Sequence, residues 1–440
     1  MKKVYALSLG CPKNLVDTER FLADLIRKNY EVVAEPQNAD ILFLNTCAFI
    51  SEAVTEAKQF LKELSTLKKQ SPEKKFYVAG CLVSRAGKSL LTEFPGIDRL
   101  IPPEEITLLP HRFLCTPPHY AYLKVSEGCN NRCLYCLIPS LRGPLRSYPV
   151  EKLIAEATAL AAGGVKELNI VAQDTTGYGV DLYGKPSLDI LLKEVCKIDG
   201  LRWVRLLYTY PAGYSDKLIK TLSELAFSPF GLNELSPYVS NSPANDKKLC
   251  PYLDIPLQHA SDKILKAMGR RGNRKEYHRL IRTLRSVIPE LTLRTTFIVG
   301  FPGEDEEDFQ VLTDFVREIE FEKLGLFTYS PEEGTPAVSL PNPVPEQIKE
   351  ERLEKLRKIQ AEISRKKLCS LINQEISVVV EGTVPEKPGC SWGRTAFDAP
   401  EVDGITYLNR HFPEGTFVKA RVTGTEEHDL RATVLPKNRN

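Results

Sequence analysis

Short apolar runs alternate with stretches of helical period over the first hundred positions. Val4–Leu9, Asp40–Leu44 and Phe76–Ala79 read as strands, and Leu15–Arg27 and Ser51–Leu67 as helices. Such alternation builds a parallel sheet with helices on its faces. Pro102, Pro103, Pro110, Pro117 and Pro118 then interrupt the pattern. Proline fixes φ and removes a donor, so this stretch is expected to be a linker. The alternation resumes with Ala121–Ser126, Leu168–Val171, Trp203–Tyr208, Leu253–Leu257, Leu293–Val299 and Leu324–Thr328. Six strands are too few for an eight-stranded β/α barrel and predict an open, partial one. Residues 228–248, rich in Ser, Pro and Asn and without apolar period, read as a surface insertion. Ile348, Leu353, Leu356, Ile359, Ile363, Leu368 and Leu371 mark an amphipathic helix within Pro345–Ile372. Ile376–Val380, Ile405–Leu408, Phe417–Val422 and Arg431–Leu435, separated by turn residues, suit a small β-barrel. The expected class is α/β in three units: a βαβ domain over 1–114, an open β/α barrel over 119–367 and a small β-barrel over 370–436.

Composition narrows the function classes. The 59 basic and 57 acidic residues leave a net charge of +2, which gives no global field for nucleic acid or membrane. No apolar run is long enough for a signal peptide or a membrane span, so a cytoplasmic protein is expected. Eleven cysteines in such a chain argue for metal ligation, because cytosolic thiols stay reduced.

The first cysteine set is Cys129-Asn130-Asn131-Arg132-Cys133-Leu134-Tyr135-Cys136, a C-x3-C-x2-C loop placed directly after a strand. Three thiolates from one loop hold three irons of a cubane cluster and leave the fourth without a protein ligand. Structural zinc is the alternative, but such sites close with four ligands, and no nearby Cys or His supplies the fourth. The second set, Cys11, Cys47 and Cys81, is dispersed, yet each member follows a predicted parallel strand, as in Leu9-Gly10-Cys11, Asn45-Thr46-Cys47 and Ala79-Gly80-Cys81. Carboxyl ends of parallel strands lie along one edge of a sheet, where ligand sites form. Three thiolates are thus expected to converge there as well. Cys115, Cys196, Cys250, Cys369 and Cys390 match no ligand pattern and read as packing residues, as do the six histidines. Tyr208, Tyr210 and Tyr329 are candidates for the substrate mouth or for the core.

The cysteine loop, with Tyr135 before its third cysteine, resembles the radical S-adenosylmethionine superfamily. That resemblance implies that the open iron binds S-adenosylmethionine and cleaves it to a 5′-deoxyadenosyl radical. It also implies cofactor contacts at Gly163, Gly164 and Glu167 and at Gly300 and Gly303, besides Tyr135. Joined to the dispersed triad and the terminal barrel, the loop resembles the methylthiotransferase family over nearly the whole chain. Membership implies two 4Fe–4S clusters, the radical cluster on Cys129, Cys133 and Cys136 and an auxiliary one on Cys11, Cys47 and Cys81, with a last domain of the TRAM type. All six cysteines are then catalytic residues. An unactivated carbon needs this radical route because no side-chain base removes its hydrogen as a proton.

Within the family, Ser8-Leu9-Gly10-Cys11-Pro12-Lys13-Asn14, Ile138-Pro139-Ser140-Leu141-Arg142-Gly143 and Ala399-Pro400-Glu401-Val402-Asp403-Gly404 resemble the branch that modifies an aspartate β-carbon in a small-subunit ribosomal protein. A tRNA adenosine methylthiotransferase is the near alternative. From another class comes a noncatalytic electron carrier or redox sensor, which would more naturally close each cluster with four cysteines. Partners implied are the ribosomal protein, an electron donor and a sulfur donor, with no membrane. From Ser370 onward eight basic and ten acidic residues give −2, which disfavours tRNA as the partner of this domain.

Overall fold

The computed structural model describes residues 1–106, 108–228 and 247–436. Three main sheets follow one another along the chain, besides a short antiparallel pairing of Ser126–Glu127 with Arg146–Ser147. The first has five parallel strands in the order Tyr30–Val32, Lys2–Ser8, Ile41–Thr46, Lys75–Gly80, Arg99–Ile101. Its central strand Ile41–Thr46 is buried at every position, as a parallel strand covered on both faces must be. The edge strands Tyr30–Val32 and Arg99–Ile101 were not anticipated from the sequence. Each has three residues, and a run that short carries no readable period.

The second sheet has six parallel strands joined in chain order: Tyr120–Lys124, Glu167–Val171, Trp203–Leu206, Leu249–Asp254, Thr292–Val299 and Lys323–Thr328. The open partial barrel is therefore as expected. The fourth strand begins four residues earlier than the apolar run Leu253–Leu257 suggested. Cys250 and Tyr252 line the inner face there, and Pro251 hides the strand in the sequence. Most of the insertion expected over 228–248 lies outside the described residues.

Alternation in these strands separates two faces. Leu168, Ile170, Val204, Leu206, Leu293 and Phe297 point outward into the core under the helices. Tyr120, Tyr122, Trp203, Cys250 and Tyr252 point inward, where they meet Val379, Ala396 and Ala399 of the third unit. That unit is a closed barrel of Glu375–Val384, Lys387–Thr395, Thr406–Leu408, Phe417–Thr425 and Leu430–Val434, preceded by the helix Glu346–Cys369. The unanticipated member, Lys387–Thr395, is exposed over its first half and interrupted by Pro388, Gly389 and Gly393.

The small barrel is fastened to the inner face by buried ion pairs. Arg394 pairs with Glu167 at 2.7 Å, and Arg205 pairs with Glu167 at 3.0 Å while donating to the Ala396 carbonyl. Lys323 pairs with Asp398, and Tyr252 donates to Asp403. Glu381 and Glu401 face His119 and Tyr120. Four of the ten acidic residues counted after Ser370 thus face inward, so the domain's negative charge is not displayed as the sequence count suggested. Among the described residues no helix is long and apolar enough to cross a membrane.

Candidate active site between two cysteine sets

The triad is assembled by three strand ends. Cys11 follows Lys2–Ser8 by two residues and a tight turn, Cys47 follows Ile41–Thr46, and Cys81 follows Lys75–Gly80. Two glycines permit this. Gly10 has φ +86°, and a Cβ there would stand 2.6 Å from Cys47 Cβ and 2.9 Å from its Sγ. Gly80 has φ +95°, and its Cβ would meet Asn45 Oδ1 and the Thr46 carbonyl at 2.3 Å. Only glycine combines that backbone with that closeness. Asn14 ties the turn together by donating to the Leu9 and Thr46 carbonyls, both at 3.0 Å.

The electrostatics at the three thiols differ. Burial pushes the Cys11 thiol up, but the Lys13 ammonium, the Asn14 N–H and the Arg142 guanidinium outweigh it and hold the group below the ordinary thiol value. At Cys47 and Cys81 burial wins and the thiols are raised, although Arg142 opposes it and donates from Nε to Cys81 Sγ at 3.3 Å. Each of these thiols is within electrostatic reach of the others.

The loop Cys129–Cys136 sits above the first strand of the partial barrel. Its backbone is clamped by Cys129 N–H on the Gly143 carbonyl at 3.2 Å and Leu134 N–H on the Met268 carbonyl at 2.9 Å. Asn131 N–H approaches Cys129 Sγ at 3.4 Å, and Arg270 Nη1 approaches Cys133 Sγ at 3.9 Å. Burial raises the Cys129 thiol and pushes Cys136 up to about 12. Iron binding reverses that preference, since a coordinated thiol is deprotonated outright. Tyr135 is half buried and meets Phe301 edge-on at 6.5 Å.

The donor sets fit clusters. Each is three thiols and no fourth, and each cluster thiolate takes a separate iron. Among the described residues no three Cys, His, Asp or Glu side chains gather as ligands of one metal ion. Beside the loop lies a cavity of about 230 Å³ lined by Cys129, Asn131, Asp174, Thr176, Tyr210 and Arg271. A larger cavity of about 700 Å³ lies between the small barrel and the beginnings of the last two strands, lined by Leu291, Lys323, Gln360 and Phe397. No cysteine lines it.

The expectation for Gly163, Gly164 and Glu167 is corrected by their placement. Gly163 and Gly164 close the helix Val150–Ala162, and Glu167 opens the next strand, so all three are at the amino ends of the barrel strands, opposite the cysteines. Glu167 is buried against Arg394 and Arg205. The carboxyl end of the same strand instead presents Asp174, which accepts from Asn131 Nδ2 at 2.7 Å and from Thr176 Oγ1 at 2.6 Å. Gly300 and Gly303 lie at the proper end, after Thr292–Val299, with φ +75° and +85°. The space a Cβ would fill at Gly300 belongs to the Lys349 side chain, 2.2 Å away, so this glycine serves helix packing. Sequence reasoning passed over Asp174, Arg270 and the salt-bridge role of Arg142: Asp174 sits three residues past a strand end and Arg142 six past Cys136, whereas Arg270 follows the helix Asp262–Ala267 and carried no such signal. Of the leftover thiols, Cys196 and Cys250 are buried as expected, whereas Cys115 and Cys369 are exposed. Tyr329 is a core residue packed on Phe301 at 5.1 Å, and Tyr210 lines the cavity.

A buried charge network joins the two sets. Arg142, at the end of Ile138–Arg142, pairs with Asp17 at 2.9 Å and with Glu127 at 3.3 Å, and reaches Asn14 Oδ1. Lys124 pairs with both Asp17 and Glu127. Leu137 and Leu141, just after the loop, are part of the core of the first domain. Buried contacts thereby join the elements that carry the two cysteine sets.

Comparison with known proteins agrees with this architecture. Residues 3–102 match the profile described as uncharacterized protein family UPF0004, residues 123–239 and 243–316 that of the radical SAM superfamily, and residues 372–435 that of the TRAM domain. The fold resembles TsrM from Kitasatospora setae, a radical S-adenosylmethionine methyltransferase, with a TM-score of 0.54 at 13% identity over 77% of each chain. Two proteins named ribosomal protein uS12 methylthiotransferase RimO are similar over nearly their whole length. That of Pelotomaculum thermopropionicum is 43% identical over 98% of this chain and 99% of its own, and that of Geobacter sulfurreducens 41% over 99% of both. With its three main sheets, its two cysteine sets and this full-length similarity, the chain belongs to the RimO family of radical S-adenosylmethionine methylthiotransferases.

Proposed function

We propose that the chain adds a methylthio group to the β-carbon of an aspartate in ribosomal protein uS12, in the cytoplasm, drawing on an external electron donor and a sulfur donor. Full-length similarity above 40% to proteins named for that activity carries the reading. Cys129, Cys133 and Cys136 would hold the radical cluster and Cys11, Cys47 and Cys81 the auxiliary one. When bound, the two clusters supply the electron that cleaves S-adenosylmethionine and the site from which sulfur is delivered. The chain's own residues shape the space between. Arg142 donates to Cys81 and favours negative charge on the auxiliary ligand set. Asn131 and Asp174, hydrogen-bonded at 2.7 Å, form a polar wall beside the cysteine loop, where the amino and carboxylate groups of S-adenosylmethionine need partners. The proposed domain boundaries are 1–114, 119–367 and 370–436.

Intact-mass analysis of ribosomal proteins and nucleoside analysis of tRNA from a strain lacking the gene test the substrate. A missing methylthio group on uS12 with unchanged tRNA is expected. The opposite result promotes the tRNA adenosine alternative.

A further inference from the structure

Lys13 lies in the first turn of the helix Pro12–Arg27, two residues after Cys11. That turn holds no acidic residue, and a cation at this end of a helix opposes the helix dipole. The side chain is half buried, and its ammonium stands 3.6 Å from the centroid of the Tyr208 ring. Tyr208 follows the strand Trp203–Leu206 at the carboxyl end of the partial barrel. It is held at φ +57°, a left-handed conformation unfavourable for a bulky residue. Its N–H donates to Asp254 Oδ2 at 3.1 Å, and its carbonyl accepts from Thr175 N–H at 3.0 Å.

A cation–π contact holds a charge in place without neutralising it. Among the described residues no carboxylate forms an ion pair with Lys13, and Asp254, which bears on it from a distance, is already engaged by Arg294 at 3.2 Å and by the Tyr208 N–H. A half-buried ammonium on the wrong end of a helix, steered by a strained aromatic residue and left without a carboxylate of its own, breaks local rules of stability. Such departures concentrate at functional sites.

We propose that Lys13 binds the side-chain carboxylate of the substrate aspartate and is the residue that selects an acidic target. This rests on the uS12 reading above. The carbon that receives sulfur is bonded directly to that carboxylate, so whatever holds the carboxylate has to stand beside the auxiliary cysteines. Lys13 is two residues from Cys11 and reaches Tyr208 at the carboxyl end of the partial barrel, which satisfies that requirement. An adenosine substrate would bring no carboxylate to this position.

The test is equilibrium binding, without reductant, of a peptide spanning the uS12 target aspartate and of the same peptide with Asn in its place. Both are measured on the iron-loaded enzyme and on Lys13→Met, Lys13→Gln and Lys13→Arg, with iron content determined for each. The wild-type chain is expected to prefer the Asp peptide by about ten- to a hundredfold, the range of a charge-assisted hydrogen bond. Lys13→Met and Lys13→Gln should lose that preference with iron unchanged and bind the Asn peptide as before, and Lys13→Arg should retain part of it. A neutral variant that keeps the wild-type ratio overturns the proposal. So does loss of iron in both neutral variants, which would make Lys13 a residue for cluster assembly. Failure of the wild-type enzyme to bind either peptide, together with modification of tRNA, defeats the uS12 reading and the proposal with it; a changed or unchanged Asp/Asn ratio bears on Lys13 alone.

Discussion

The two cysteine sets reach the same chemistry by opposite routes. Cys129, Cys133 and Cys136 are close because they lie within eight residues of one loop. Cys11, Cys47 and Cys81 are far apart in sequence and close only because three parallel strands end along one edge. The loop therefore depends largely on local clamps, such as Cys136 N–H on the Cys133 carbonyl and Cys129 N–H on the Gly143 carbonyl, and the triad on the register of a whole sheet. A local site tolerates distant change, and a site made by topology does not.

Replacing whole sets breaks the comparison most severely. Alanine at Cys129, Cys133 and Cys136 together should abolish S-adenosylmethionine cleavage and leave half the iron. Alanine at Cys11, Cys47 and Cys81 should also leave half the iron, yet keep reductive formation of 5′-deoxyadenosine while ending methylthio transfer. Iron analysis and product chromatography on both variants check this, and equal loss of deoxyadenosine in the two would show that the sites are not separable.

Gly10→Ala tests the topological site through its backbone. The added Cβ meets Cys47 at 2.6 Å in a left-handed conformation, so the auxiliary iron should be lost while the radical cluster remains. Gly303→Ala, with φ +85° and open space around it, should cost only about 1 kcal/mol of stability and keep all the iron. Iron content and thermal melting of the pair measure the contrast.

Arg142→Met sharpens the comparison at the junction of the two sites. It leaves Asp17 and Glu127 buried with Lys124 as their remaining cation, at a cost of about 3–5 kcal/mol. The melting temperature should fall by several degrees, whereas neutralising the exposed pair Lys28–Asp24 should shift stability by less than about 1 kcal/mol.

The smallest effect concerns pH, far from both sites. Burial raises the Glu167 carboxyl, but Arg394 and Arg205 outweigh it and hold the group below the ordinary carboxylate value. A depressed folded value means that the stabilisation is complete above the unfolded value of about 4.3 and is lost as pH falls through the folded value. Docking of the small barrel should thus loosen in acid below about pH 4.3. Protease nicking of the linker after Cys369, followed against pH, should show that step in the native chain and a shallower one in Glu167→Gln.

Much of this was legible in the sequence. The cysteine loop declared itself by spacing, and the triad by its repeated place after apolar runs, because strand ends are marked by composition even where partners are remote. Parallel strands buried on both faces, such as Ile41–Thr46, are continuous apolar runs and could be read directly. The Gly163-Gly164-Val165-Lys166-Glu167 stretch misled because a motif has no direction: the residues matched a cofactor contact, but the chain places them where the strand begins. Charge misled likewise. The acidic surplus after Ser370 is a property of composition, whereas Glu381, Asp398, Glu401 and Asp403 turn inward to the partial barrel.

The sequence by itself determined the number of units, most of their strands, the six candidate cluster ligands and the class of chemistry, since each depends on period, spacing or residue type within a short window. Only the tertiary structure decided which end of each strand faces the cysteines, which charges are buried in ion pairs and which, like Lys13, instead meet an aromatic ring. Those are matters of long-range register and packing, where residues more than a hundred positions apart, such as Lys13 and Tyr208 or Arg142 and Asp17, are brought within a few ångströms.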